Sequence, residues 1–255
     1  MSDGLSVAPV KGLPMFNAGD DLARAIGDAI AVGGGSLRDG DVVVVAQKAV
    51  SKVEGRKVEL ASVTPSPEAH ALAEQTGKDA ALCHLILSES QAVMRTRKDL
   101  VIVRHRLGQV MANAGIDASN VADPNGPPTV LLWPEDPDAS ARGLRDAFVA
   151  RFGVKVAVIV SDSLGRAWRV GTMGSAIGVA GIRPLRDRRG ETDLFGRTLE
   201  ATVIGVADEI AAAASLVIGE ASEGVPAAVV RGATYPAEEG GVAEMLRPHA
   251  EDLFR

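Results

Sequence analysis

The run Val158-Ile159-Val160-Ser161-Asp162-Ser163-Leu164-Gly165-Arg166 decides the fold class. Residues 155–161 read as a buried strand, Val156 to Val160 being apolar and mostly β-branched, and they lead straight into Asp162. In α/β folds the carboxyl ends of strands are where functional groups collect. Ser163 adds a hydroxyl, Gly165 a permissive backbone and Arg166 a fixed positive charge. Working outward, residues 41–46 hold four consecutive valines, which reads as a strand buried on both faces. A second polar segment, Asn113-Ala114-Gly115-Ile116-Asp117-Ala118-Ser119-Asn120-Val121, again sets one carboxylate among glycine, amides and hydroxyls. That chemistry suits a hard cation and the phosphates it bridges. A surface turn with side-chain caps is the competing reading of Asp117. Two such segments can supply one carboxylate each to a shared metal–nucleotide site.

Between these landmarks the pattern alternates. Apolar spacings of three and four predict helices over 20–32, 67–76, 79–93, 138–152 and 199–218. Ser66 followed by Pro67 is a helix start, and Gly33, Gly153 and Gly219 are helix stops. Further strands are expected over 5–10, 100–105, 129–133 and 227–230. The stretches 121–128 and 183–198 are rich in loop formers. Strands and helices intermix throughout, so the expected class is α/β, or a mixed α+β arrangement. A single domain spanning 1–255 is expected.

Composition removes several functions. The net charge of -6 gives no general attraction to nucleic acid or to an anionic membrane. Aromatic residues at 3% are too few for base-stacking platforms. Cys83 is the only cysteine, which excludes an internal disulfide and a Cys-rich zinc site, and it reads as a buried small hydrophobe. His70, His84, His105 and His249 lack metal-ligand spacing, and His84 reads as a satisfied, half-buried residue. There is no Walker A loop, no dinucleotide-binding glycine fingerprint and no serine-hydrolase elbow. Neither a secretory signal nor a long uncharged apolar stretch is read, so a cytoplasmic protein is expected. Lys52, just past the valine strand, can reach a phosphate as a point charge. Two basic groups, one of Arg183, Arg186, Arg188 and Arg189, the other of Arg95, Arg97, Lys98, Arg104 and Arg106, could receive an acidic substrate or form solvated faces.

Taken in order, these segments resemble the coenzyme F420:L-glutamate ligase family. The resemblance runs nearly end to end. It is carried by Pro9-Val10-Lys11-Gly12-Leu13-Pro14, by Gly19-Asp20-Asp21-Leu22, and by Asp39-Gly40-Asp41 through Arg56. It continues in Asn113 to Val121, Asp136-Pro137-Asp138, Ser161-Asp162 with Gly165-Arg166 and Trp168-Arg169, Ala207 to Ala211, and Val229-Val230-Arg231-Gly232. The resemblance implies mixed sheets with flanking helices and a GTP-dependent ligase. Such an enzyme adds L-glutamate to the carboxylate of the F420-0 precursor through an acyl phosphate. It implies Asp117 and Asp162 as carboxylates acting through a metal, with Ser163 and Glu220 completing the ligands of Mg2+ or Mn2+, and K+ as a further candidate cation. It places the nucleotide against Gly12, Leu13, Pro14, Met15, Gln47, Lys52, Asn120, Leu216 and Gly219. It also implies a homodimer. The second, nitroreductase-like domain and flavin site of some bacterial relatives are not expected. A ligase for another acid acceptor and a non-catalytic nucleotide-binding module stay open as alternatives.

Overall fold

The two strands read from apolar runs lie side by side and parallel, Val42 against Ala157 and Ala46 against Ser161. Antiparallel partners extend them into a five-stranded sheet. Its order is Ser6–Pro9, Ala227–Arg231, Val42–Ala46, Ala157–Arg166, Arg169–Ala180. The computed structural model describes residues 4–121 and 125–252.

Alternation along the strands explains why all four valines are buried. Val43, Val45, Val158 and Val160 face one core, shared with helices α1 (Leu22–Val32), α2 (Gln47–Val53) and α5 (Pro137–Phe152). Val42, Val44, Ala157 and Ile159 face the other, against α6 (Val206–Ile218). A strand covered on both faces has no polar side, so it reads as a continuous apolar run. The neighbouring strand Arg169–Ala180 runs between α5 and α6 with small residues at the contacts. A register shift beside Ser161 turns both Ile177 and Gly178 towards the α5 side. A Cβ on Gly178 would strike the carbonyl of Pro137, and one on Gly174 would lie 2.6 Å from that of Ala211.

A second, smaller core is built from α3 (Pro67–Thr76), α4 (Ala80–Ser88) and a three-stranded meander, Ser90–Arg97, Leu100–His105, Val110–Ala112. Ala69, Leu72, Cys83, Ile86, Val101 and Val103 fill it, and Cys83 is fully buried as expected. The pair Lys57–Glu59 and Thr129–Leu131 forms a further two-stranded sheet.

Helix caps follow the sequence. Asp21, Ser66 and Asp136 accept from the backbone N–H three residues on, at Arg24, Ala69 and Ala139, and Gly153 ends α5 in the left-handed region. Four expectations need correction. The helix predicted over 79–93 stops at Ser88, because residues from Ser90 onward pair with Leu100–His105. The helix predicted from residue 199 starts only at Val206, since Val203–Ile204 pairs with Arg186–Asp187 and Gly205 intervenes. The strand predicted to end at Ser161 continues to Arg166 and turns back at Trp168, so Asp162 lies within a hairpin arm that outruns its parallel neighbour. His84 is half-buried, but its Nδ1 has no partner among the described residues. Part of the loop predicted over 121–128, residues 122–124, lies outside the described residues. Among the described residues no helix is long and apolar enough to cross a membrane.

Candidate functional site

The parallel pairing ends at Ala46 and Ser161. Asp162 is therefore the first residue past the carboxyl ends of the central strands, and α2 begins there with Gln47 and Lys48. The second carboxylate arrives from the other core. Asp117 exchanges both backbone hydrogen bonds with Leu131, fixing its segment on the small two-stranded sheet of Lys57–Glu59 and Thr129–Leu131.

The two carboxylates are held differently. Asp162 Oδ2 accepts the indole N–H of Trp133 at 2.7 Å, and Oδ1 accepts the backbone N–H of Ser163 at 2.8 Å. Burial pushes the Asp162 carboxyl above the usual range against these two bonds, and the charge of Asp117 pushes it further the same way. Burial also pushes Asp117 up, but there the opposing contacts win and hold it below the usual range. They are Lys48 Nζ at 2.6 Å from Oδ2, and the backbone N–H and hydroxyl of Ser119 at 2.7 and 2.8 Å from Oδ1.

Close by, Ser163 Oγ donates to Glu220 Oε1 at 2.6 Å. Lys52 Nζ donates to the carbonyl of Asn120 at 2.6 Å, and Asn120 Nδ2 to the carbonyl of Ala221 at 2.8 Å. Burial, then the nearby Lys57 and Lys48 charges, lower the Lys52 pKa. Asn120 thus ties the Asp117 segment to the turn after α6.

The backbone that delivers Asp117 is unusual. Asn113, Ala114 and Gly115 are consecutive residues with positive φ, at 51, 55 and 66°. Non-glycine residues reach that region at a cost that surrounding structure must offset, and such segments concentrate at functional sites. Asn113 Oδ1 helps by accepting from the N–H of Val101. A Cβ on Gly115 would stand 2.5 Å from Trp133 Nε1. Glycine there leaves room for the indole that holds Asp162.

All of this opens onto one cleft of about 2060 Å³, larger than the ~300–1,000 Å³ of a pocket for one small ligand. Leu13, Pro14, Met15, Gln47, Lys52, Asn120 and Gly219 lie on its wall; Gly12 and Leu216 do not, and Leu216 is 85% exposed. Gln47 is almost wholly buried, donating to Ser51 Oγ at 2.6 Å and to the Leu132 carbonyl at 3.3 Å, while its Oε1 has no partner among the described residues.

The donor set suits a hard divalent cation. Two carboxylates, one of which raises the proton affinity of the other, a hydroxyl and a third carboxylate are all oxygen ligands. Among the described residues no three His, Cys, Asp or Glu side chains converge into a closed cage. Mg2+ needs none, because it takes one or two carboxylates and completes its shell with water and substrate phosphates.

Three contributors were not read as site residues from sequence. Trp133 is one of two tryptophans and follows a buried strand, and a buried indole N–H demands an acceptor. Lys48 and Ser119 sit inside the segments already singled out, yet their joint grip on Asp117 is a tertiary contact. Members of the two basic groups differ in their partners. Arg183, Arg188 and Arg189 pair with acids of their own chain, Glu244, Glu191 and Asp187. Arg106 likewise pairs with Glu89. Arg95, Arg97 and Arg104 line the cleft.

Residues 12–232 match the family described as F420-0:Gamma-glutamyl ligase. The chain is 49% identical to the coenzyme F420:L-glutamate ligase of Methanothermobacter thermautotrophicus over 99% of both chains. It is 40% identical to the protein of that name from Methanocaldococcus jannaschii, over 95% of this chain and 94% of the relative. With the Archaeoglobus fulgidus protein of the same name identity is 43%, over 98% and 96%.

Proposed function

The chain belongs to the F420-0:gamma-glutamyl ligase family, and on that premise we propose that it joins L-glutamate to the carboxylate of F420-0, and then further γ-linked glutamates, at the expense of GTP. A carboxylate is a poor electrophile and must be activated before an amine can attack it. One carboxylate oxygen of the acceptor attacks the γ-phosphorus of GTP. The bond from that phosphorus to the bridging oxygen breaks, and GDP leaves. The amine of glutamate then attacks the acyl carbon, the C–O bond to phosphate breaks, inorganic phosphate departs and the amine loses a proton. Alignment and charge neutralisation carry most of the work in such transfers.

In this reading Lys52 presents a positive charge to the nucleotide phosphates, and Lys48 balances Asp117. The nucleotide lies along Leu13–Met15, Asn120 and Gly219. Asp117 and Asp162, with Ser163 and Glu220, would hold Mg2+ or Mn2+, which supplies charge neutralisation on the transferring phosphoryl group. K+ is a further proposed cation. The observation that carries the reading is the meeting of Asp117 and Asp162, from two separate cores, with Lys48 beside them in a cleft roomy enough for three reactants. We place the enzyme in the cytoplasm as a homodimer. Exposed Trp168 and Val170 at the hairpin turn, and Leu194 and Phe195, are apolar area that such an assembly would cover.

The test is a nucleotide assay with each reactant withheld in turn. GDP should form beyond one equivalent per protein chain only when acceptor, glutamate, GTP and the divalent ion are all present, matched by glutamate-sized mass additions to the acceptor. GDP release that ignores the acceptor, or product made equally well without nucleotide, contradicts the proposal.

A further inference from the structure

The solvent face of the meander is a wall of the same cleft. In Leu100–His105 every second residue, Val101, Val103 and His105, is buried, so Leu100, Ile102 and Arg104 turn the other way. Register puts Arg95 beside Ile102 and Arg97 beside Leu100, on that same face. Val110 and Ala112 complete it from the third strand. One sheet face therefore carries three guanidinium groups over an apolar floor, with Arg95 and Arg97 spaced by two strand residues, about 7 Å. Among the described residues none of the three meets a carboxylate; Arg95 donates only to the carbonyl of Met94. The contrast with Arg183, Arg188 and Arg189, each paired within the chain, is informative. Guanidinium groups without acids on a cleft wall are donors held open for an anion from outside.

Resting on the ligase reading above, we propose that Arg95, Arg97 and Arg104 form the subsite for the anionic chain that bears the acceptor's reacting carboxylate. Amide formation explains why such a subsite is needed. Each added glutamate spends one carboxylate of the acceptor and brings two, so the acceptor gains one negative charge per turn. The arginines are binding residues that hold this chain while its terminal carboxylate reaches the Asp117–Asp162 pair. Leu100 and Ile102 receive its methylene segments.

The experiment compares the wild-type protein with Arg97→Gln, Arg104→Gln, the double variant, and Arg188→Gln as a charge control. Binding of γ-linked triglutamate is measured by calorimetry, and ligase kinetics are measured alongside by mass spectrometry. Each cleft substitution should weaken triglutamate binding and raise the acceptor KM about tenfold, the size expected for one charge-assisted bidentate contact, while the KM for GTP holds. A defect confined to the second and later additions assigns the arginines to glutamates already added. A defect from the first addition assigns them to the acceptor's own anionic group. Equal loss in Arg188→Gln, or a double variant that binds triglutamate and acceptor like the wild type, overturns the subsite. A wild-type protein that turns over normally beside an unaffected double variant leaves the ligase reading standing and the subsite fallen. Arginine-dependent triglutamate binding without any turnover does the reverse. Neither binding nor turnover in the wild type rejects both.

Discussion

Trp133 and Asp162 show how the site is set at the level of single side chains. The indole is fully buried and its N–H is spent on Oδ2 of Asp162, while the Ser163 N–H takes one lone pair of Oδ1, so each oxygen keeps a lone pair for a ligand. Asp162→Asn keeps the size and one acceptor oxygen but removes the charge. Ligase turnover should fall below detection while the circular dichroism spectrum and melting temperature stay near wild type; near-normal turnover in the folded variant rejects Asp162 as a functional carboxylate. Trp133→Phe keeps the packing against His105, whose ring centroid lies 4.9 Å away, and deletes the donor. Loss of a hydrogen bond that orients a metal carboxylate typically costs about 10–100-fold, and kcat/KM with Mn2+ titrated should fall by that factor. Asp117 and Asp162 stood out in the sequence as candidates because each is a carboxylate among small polar residues in a segment entered from an apolar run. Trp133 was not. Its role depends on a contact across 29 residues of chain, and nothing in its own neighbourhood signals a partner.

Among the elements, the junction between the two cores rests on Glu89. Its carboxylate sits at the end of α4, accepting from Arg56 Nη2 and Arg106 Nε, both at 2.8 Å, with His105 Nε2 at 3.5 Å. Arg56 also donates to the carbonyl of Trp133 at 2.8 Å, so the clamp sets the strand end that carries the indole. Burial alone would raise the Glu89 carboxyl; His105, Arg106 and Arg56 outweigh it and hold it at about 2, well below the usual glutamate range. A carboxyl depressed by folding contributes stability above its unfolded value, and that contribution disappears as pH falls towards the folded value. The contribution is on the order of 3 kcal/mol. Denaturant unfolding of the wild type should therefore lose stability steeply from about pH 4.5 towards pH 2, and Glu89→Gln should start lower and flatten that limb. Parallel pH profiles for the two proteins contradict the clamp. On the main sheet, Gly178→Ala drives a methyl into the Pro137 carbonyl. It should cost about 1–3 kcal/mol, as overpacking does, read as a lower urea midpoint at unchanged slope. The helices α1, α3 and α5 were legible because local caps and apolar spacing agree with the final structure. The stretch after Ser88 misled because its apolar residues suit a helix locally, whereas Leu100–His105 needs an edge partner and takes them as a strand.

At the scale of the molecule, one sheet with a helical layer on each face carries the site at the carboxyl ends of its parallel pair. A second core brings Asp117 and the arginine wall up to it. The layered class follows from four consecutive valines and the apolar run before Asp162, since short, β-branched, continuously apolar runs are the composition of strands covered on both sides. Strand order was not legible. The edge pair Ser6–Pro9 and Ala227–Arg231 comes from opposite ends of the chain, and such long-range pairing leaves no local trace. The cleft is equally a product of assembly, because its walls come from both cores.

The central claim is that this cleft activates a carboxylate by phosphoryl transfer from GTP. The most direct test labels the acceptor carboxylate with oxygen-18, runs a single round of glutamate addition, and reads the phosphorus products by mass spectrometry. The account predicts unlabelled GDP and one oxygen-18 atom in each inorganic phosphate released. Label in GMP with pyrophosphate as co-product, or glutamylated acceptor with no label in any phosphorus product, would contradict it.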